Sequence, residues 1–481
     1  MMNDYETVIG LEIHVELATK TKIFCGCSTE FGAKVNTHTC PVCTGMPGSL
    51  PVLNKKVLEY AVAVGLATNC EITKYSKFDR KNYFYPDNPQ NYQISQLYLP
   101  ICRNGNVLIN NDGVEKRIGI HEIHMEEDAG KLVHNDEDNS SLIDYNRSGV
   151  PLIEIVSEPD MRNSDEVIKY IEKIKEIMTY LGVSDCKLNE GSMRADVNIS
   201  IKRVDEKELG TRTEMKNINS FKAISRAIEH EKKRQIELIE EGKEVIQETR
   251  RWDDNLGCSF SMRSKEDSND YRYFPEPDLV PIIISDKFLN DIKLNQPELR
   301  EEKIERYKKE FSLPDYDIDL ITESKNVADL FENVVALGVS PKKVSNWLIG
   351  ETFRLVKERG IDVEKIKISP QNFAKLIKLV ESKQISNTVA KEVFEKIFDE
   401  DIEPEEYVKT NGLIMVDNTE ELIKVIDEVF ANNPQSIEDY CNGKTKAMGY
   451  LVGQTMKAMK GKAAPDKVNT IIKEKLEILK G

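Results

Sequence analysis

Four cysteines stand where a metal could use them. Cys25 and Cys27 are one residue apart, Cys40 and Cys43 two apart, and twelve residues separate the pairs. Close pairs turn both sulfurs to one side, and four thiolates at ~2.3 Å suit a tetrahedral Zn²⁺. Such a centre has no open coordination position, so its role would be to staple a loop rich in Gly, Thr, Asn and Pro. The alternative is two unmetallated thiol pairs. His38 lies between them, but four Cys already complete a site.

A second chemistry is carried by acids. Glu12 and His14 sit two apart in an alternating segment, so their side chains share one face of a strand. The run His124-Met125-Glu126-Glu127-Asp128-Ala129-Gly130-Lys131 places three consecutive acids near a His. Their mutual repulsion is costly unless water or a cation offsets it. A hard cation such as Mg²⁺ takes carboxylate oxygens and commonly bridges nucleotide phosphates. Asp196 and Glu214 are further acids on strand-like alternation. The plainer alternative for each is a solvated strand position.

Two motifs are decoys. His121-Glu122-Ile123-His124 is one residue short of a zinc-protease signature, and Gly443-Lys444-Thr445 lacks the first glycine of a phosphate loop. Between Ser76 and Pro89, Lys77, Arg80 and Lys81 are mixed with Phe78, Tyr83, Phe84 and Tyr85. Tyr271 to Asp278 repeats the mixture. Cations can hold phosphates while aromatic faces stack bases, or the aromatics can simply be core.

These residues must be positioned by an ordinary globular chain. Its 481 residues are 40% hydrophobic and 31% charged, enough for roughly three domains. The start lacks a secretory pattern and no apolar run approaches a membrane span, so a cytoplasmic protein is expected. Cys70, Cys102, Cys186, Cys258 and Cys441 read as small buried hydrophobes. A net charge of −16 argues against a generally basic nucleic-acid binder. Even so, Tyr440 to Gly481 holds nine lysines, Lys457, Lys460 and Lys462 among them, against three acids. That tail is either a solvated helical face or an RNA contact.

The first ~290 residues alternate like short strands. Thr7 to Leu17 does so in its second half, and Arg194, Asp196, Asn198 and Ser200 share a strand face. Two helices interrupt them. One is capped by Ser164 and closed by Gly182; the other runs from about Phe221 to Glu241. After Pro297 the pattern is helical, with Ser340-Pro341, Ser369-Pro370 and Ser386 as starts, Glu403 to Glu406 as a linker and Thr410-Asn411-Gly412 opening a last unit. The expected class is α+β: a domain with an antiparallel or mixed sheet and flanking helices, then two small all-helical domains.

Several runs together resemble the B subunit of tRNA-dependent amidotransferases. They are Val8 to His14, Phe78 to Asp87, His124 to Lys131, Pro151 to Asp160, Asp270 to Asp278 and Gly443 to Gln454. The resemblance implies a cradle domain over 1–293, a helical domain over 294–407 and a tRNA-gripping tail over 408–481. It implies that ATP phosphorylates the side-chain carboxylate of Glu on tRNA(Gln), or Asp on tRNA(Asn), and that ammonia then displaces phosphate. It maps Mg²⁺ ligands to Glu12, His14, Glu127, Asp196 and Glu214, with Glu126 nearby and Lys81 as a phosphate contact. Some relatives lack the four cysteines, which makes zinc structural. Nothing here resembles an amidase nucleophile, so ammonia is expected from a glutaminase-type A subunit, with a small C subunit completing the complex.

Overall fold

In a computed structural model of the chain, the described residues are 4–111, 113–135, 140–188, 190–264, 271–415, 419–459 and 462–480. Asp270, Lys460 and Gly481, all named above, lie outside them. The chain divides into two compact units, Met1–Leu299 and Arg300–Gly481.

The first unit is built on one nine-stranded sheet. Its strands are β1 (Tyr5–Glu16), β2 (Glu71–Ile72), β3 (Cys102–Asn111), β4 (Val114–Glu127), β5 (Pro151–Ser157), β6 (Met193–Arg203), β7 (Thr213–Lys216), β8 (Glu248–Asp253) and β9 (Cys258–Ser264). They lie in the order β9-β8-β7-β6-β1-β5-β4-β3-β2. Only β7 and β8 pair in parallel, so the sheet is mixed and the expected α+β class holds.

Alternation decides which face is covered. On β1, Leu11, Ile13 and Val15 are at most 1% exposed, while Glu12, His14 and Glu16 point the other way. The apolar face packs against α1 (Lys55–Ala67), α2 (Ser164–Leu181) and α3 (Phe221–Glu240), through residues such as Val62, Ile171 and Ile224. Each such side chain contributes about 1.5–3 kcal/mol by leaving water. The cap of α2 is one residue earlier than expected. Extended Asn163 accepts from the Glu166 N–H, whereas Ser164 is already helical. Gly182 closes the helix in the left-handed region, as anticipated.

Every described element of the second unit is helical, from Arg300–Glu310 to Pro465–Lys480, around two separate apolar clusters. Ser369 and Ser386 cap their helices through Asn372 N and Val389 N. The Glu403–Glu406 stretch is not a linker. Glu403 accepts from Glu406 N and opens the helix Pro404–Thr410, which is pinned by buried Val408. Proline at the first helical position and an acid before it read equally as turn or helix start. No helix among the described residues is long and apolar enough to cross a membrane.

Candidate active site

The face of the sheet that the helices leave open carries the chemistry, although its acids are largely buried, with the Glu126 side chain 5% and the Glu154 side chain 13% exposed. Cross-strand register sets His124 of β4, Glu154 of β5, His14 of β1 and Arg194 of β6 in one row. The next row holds Val156, Glu12 and Asp196, and beyond it Asn198 stands opposite Glu214, which faces Thr249 of β8. Opposed residues have Cβ atoms ~5 Å apart, so their side chains must interact.

Two groups of metal-competent atoms result, each with its ligand atoms within 4.8 Å of one another: His14, Glu126 and Glu154; and Glu12, Asp196 and Glu214. In the first, His14 Nε2 lies 3.3 Å from Glu154 and 3.9 Å from Glu126. His124 Nε2 approaches the same acids at 3.1 and 3.7 Å. Burial disfavours charge on His14, but Glu154, Glu126 and Asp196 outweigh it and raise its pKa to about 9. Glu154 is driven the other way. Burial would raise it, yet His124 and His14 hold its carboxyl well below the ordinary range.

In the second group, Asn198 donates to Glu12 at 2.9 Å and Thr249 Oγ1 donates to Glu214 at 2.7 Å. Lys216 Nζ reaches Asp196 at 2.6 Å and Glu214 at 3.0 Å. Burial, then Glu154 and Glu214, raise the pKa of Glu12, so its ionised form is disfavoured unless a further cation arrives. Asn198 Oδ1 is buried without a hydrogen-bond partner beside it. Three carboxylate donors and an orphaned acceptor fit a hard cation such as Mg²⁺, whereas the first group, with one nitrogen, is a mixed donor set.

Of the acids read from sequence, Glu12, Asp196 and Glu214 therefore converge, and His14 joins Glu126. Lys81 stands over the Tyr271 ring at 5.1 Å, in the field of Glu126 and Glu154. Glu127 needs correction, because it joins neither group. Neighbours on a strand face opposite ways, and its carboxylate instead accepts from Ile94 N at 2.9 Å and from Gln90. Burial raises its pKa to about 8, and it borders a cavity of about 350 Å³ shared with Cys25, Cys43 and Arg80. Sequence reasoning left Glu154 and Lys216 without roles, although Glu154 lay in the Pro151 to Asp160 run and Lys216 stands two residues from Glu214. A lone acid among apolar strand residues was the available signal for Glu154, since burying it unpaired is costly.

A second cavity, of about 410 Å³, opens beside Glu12. Its walls are apolar at Val8, Val156, Pro159 and Leu209, and polar at Asn198, Ser200 and Gln247. The loop forming one wall returns so closely at Gly210 that a Cβ there would sit 2.1 Å from the Ile201 carbonyl oxygen, which only glycine allows.

The four cysteines also converge. Cys43 Sγ lies 4.0 Å from Cys27 Sγ and 3.9 Å from Cys40 Sγ. All nine cysteines are free thiols. A tetrahedral ion with bonds of ~2.3 Å needs sulfurs about 3.8 Å apart, so the geometry fits zinc. A hydrogen bond from Cys25 and the nearby Lys22 ammonium pull the Cys43 thiol down to about 4, against its burial. Lys22 is fully buried, and its Nζ lies 3.5 Å from Cys43 Sγ.

Comparison with known proteins adds to this geometry. Residues 7–290 match the family described as GatB/GatE catalytic domain, and residues 329–476 match the one described as GatB domain. A protein of Agathobacter rectalis, named as the B subunit of an aspartyl/glutamyl-tRNA(Asn/Gln) amidotransferase, is 66% identical over 99% of this chain and 100% of its own length. Proteins of the same name from Lachnoclostridium phytofermentans and Caldicellulosiruptor saccharolyticus are 64% and 56% identical, covering 99% and 98% of the chain and 99% of their own lengths.

Proposed function

Because the chain belongs to the family of aspartyl/glutamyl-tRNA(Asn/Gln) amidotransferase B subunits, we propose that the open face of its sheet is where ATP activates a carboxylate carried by tRNA. The side-chain oxygen of Glu or Asp attacks the γ-phosphorus and ADP leaves. Ammonia then attacks the acyl carbon, phosphate leaves and the nitrogen sheds its proton, giving Gln-tRNA(Gln) or Asn-tRNA(Asn). Activation is needed because a carboxylate is a poor electrophile. The chain is thus one subunit of an ATP-dependent ligase forming a carbon–nitrogen bond in protein biosynthesis. It works in the cytoplasm with a glutaminase-type A subunit as ammonia source and a small C subunit.

The observation that carries this reading is the convergence of two ligand groups on the sheet face opposite the helices. Glu12, Asp196 and Glu214 would hold one Mg²⁺; His14, Glu126 and Glu154 would hold a second. When bound, such ions supply positive charge to the transferring phosphoryl group. Lys81 brings an ammonium to the same face as a phosphate contact. The adjacent cavity offers apolar walls to an adenine and Asn198 and Ser200 to its polar edge. Glu127 is outside both metal sets.

The proposed division is a cradle over residues 1–293, a helical domain over 294–407 and a tRNA-binding tail over 408–481, with Val408 at the last boundary still packed in the helical domain's cluster. In that tail Lys444 is paired with Asp439 and Lys475 with Asp427, while Lys457 is exposed. Reversing Lys457 and Lys460 to Glu is expected to weaken tRNA binding and flatten its salt dependence; an unchanged slope returns them to a solvated face. Zinc is proposed for the cysteine centre, and elemental analysis of purified protein should find one per chain.

The test of the whole reading measures ATP cleavage and amide formation on Glu-tRNA(Gln), with partner chains and with ammonium salt. Both are expected, and both should need divalent ions. Undiminished amide formation after neutralising Glu12, Glu154 and Glu214 would leave the chain an RNA-binding scaffold.

A further inference from the structure

Lys216 already does at the second ligand group what a metal would do. It follows Glu214 by two residues on β7, so both side chains lie on the open face. Its ammonium bridges carboxylates of two adjacent strands, 2.6 Å from Asp196 Oδ2 and 3.0 Å from Glu214 Oε1. These two acids and Glu12 are the whole ligand set of the group. A divalent ion bonding the same oxygens would stand too close to the ammonium for both to remain, since like charges in a partly buried site repel strongly. The other group is built differently, because Glu126 and Glu154 are faced by His14 and His124.

Resting on the metal reading above, we propose that Lys216 is the resident cation of the Glu12/Asp196/Glu214 site and that a divalent ion loads that site only by displacing it. The ammonium keeps three crowded carboxylates partly neutralised while the metal is away. A lysine suits the task, because its charge sits on a flexible four-carbon stem and can swing clear without moving the strand. Once displaced it remains tethered to the open face, where the anionic phosphates of a nucleotide would give it a new partner. The exchange makes metal binding at this site weaker than three carboxylates alone would give, and it sets this site apart from the His14 site.

The test uses the full-length chain assembled with its partner subunits and Mn²⁺ as the probe, without nucleotide. Mn²⁺ titrations followed by calorimetry and electron paramagnetic resonance should resolve two sites in wild type, and E214Q should remove one. Lys216→Met should tighten that one about tenfold and leave the His14 site unchanged, whereas Lys216→Arg should not tighten it. A second readout needs no variant. Acylation of Lys216 in wild type, followed by mass spectrometry, should rise severalfold when Mn²⁺ saturates the complex. Unchanged or weaker Mn²⁺ binding in K216M, or labelling of Lys216 that is flat or falls with Mn²⁺, would overturn the exchange. If K216M fails to assemble, the labelling result decides. If E214Q leaves the number of bound Mn²⁺ ions unaltered, the metal reading fails first, and the exchange fails with it.

Discussion

The two faces of the nine-stranded sheet treat buried carboxylates in opposite ways. On the covered face, Glu231 of α3 is fully buried and satisfied, receiving hydrogen bonds from Arg234 at 2.6 and 2.8 Å, Thr213 at 2.7 Å and Gln235 at 2.8 Å. On the open face, acids confront acids. Glu12 shares its surroundings with Glu154 and Glu214, and Asn198 beside it keeps an unpartnered oxygen. One strand serves both environments, because Thr213 and Met215 of β7 point into the core while Glu214 and Lys216 point out. The covered face has been completed by its own partners. The open face is offset only in part, by Lys216, His14 and His124, and leaves Asn198 Oδ1 unpartnered, which suits the phosphoryl-transfer site proposed for it.

The largest expected effect breaks activity and leaves the fold intact. In Glu12→Gln the amide still accepts from Asn198, but a charged ligand is lost. Amide formation should fall about 10²–10³-fold, roughly 3–4 kcal/mol of barrier. Because burial and neighbouring acids raise the pKa of Glu12, its ionised form opposes folding at neutral pH. The melting temperature of the variant should therefore be unchanged or higher. Kinetics that survive, or a fall in melting temperature of several degrees, would place Glu12 with the structural acids.

Glu231→Gln should do the reverse. Burial would raise this carboxyl, but Arg234, Gln235 and Thr213 outweigh it and its pKa is lowered. A lowered carboxyl contributes stability above its unfolded value and loses it as pH falls through the folded one. Denaturant unfolding at pH 7 should show a cost of about 3 kcal/mol, since the Arg234 charge loses its hydrogen-bonded carboxylate and keeps only Glu248, 3.8 Å away. The difference from wild type should shrink steadily below about pH 4. Activity per folded molecule should hold. A loss of rate without a loss of stability would mean that the covered face takes part in chemistry.

Much of this contrast could be read along single strands. Alternation placed Glu12 with His14, and Arg194 with Asp196 and Asn198, because side-chain period depends only on local backbone. Which strands become neighbours depends on register between distant segments, and that decided everything else. Glu154 acquires meaning only because β5 sets it opposite both His14 and His124. Lys216 does so because β7 lies beside β6. The misplacement of Glu127 has a different origin. Here the local pattern was sufficient: counting by twos from His124 gives its face to Glu126 and turns Glu127 away, and the expectation for Glu127 came from the family resemblance instead. The cysteine pairs were legible for the opposite reason, since a short loop closes on itself and needs no distant strand. The Pro404 helix was missed because its decisive feature is the burial of Val408 in a distant cluster.

The smallest expected effect is the sharpest test of where one face ends and the other begins. Thr249 of β8 is 2% exposed, yet its hydroxyl donates to Glu214, a proposed ligand of the open face. If Glu214 is held for a metal, Thr249→Val should weaken divalent-ion binding at that site about tenfold, near 1.4 kcal/mol, because an unsupported carboxylate must be ordered by the ion itself. Valine keeps the shape of threonine, and Glu214 keeps the Lys216 ammonium. The stability cost measured by urea unfolding should therefore stay within about 1 kcal/mol. The opposite pattern, a cost of several kcal/mol with Mn²⁺ affinity unaltered, would show that Thr249 and Glu214 form a structural pair like Thr213 and Glu231. In that case the boundary of the site would lie one strand nearer to β1, between Asp196 and Glu214.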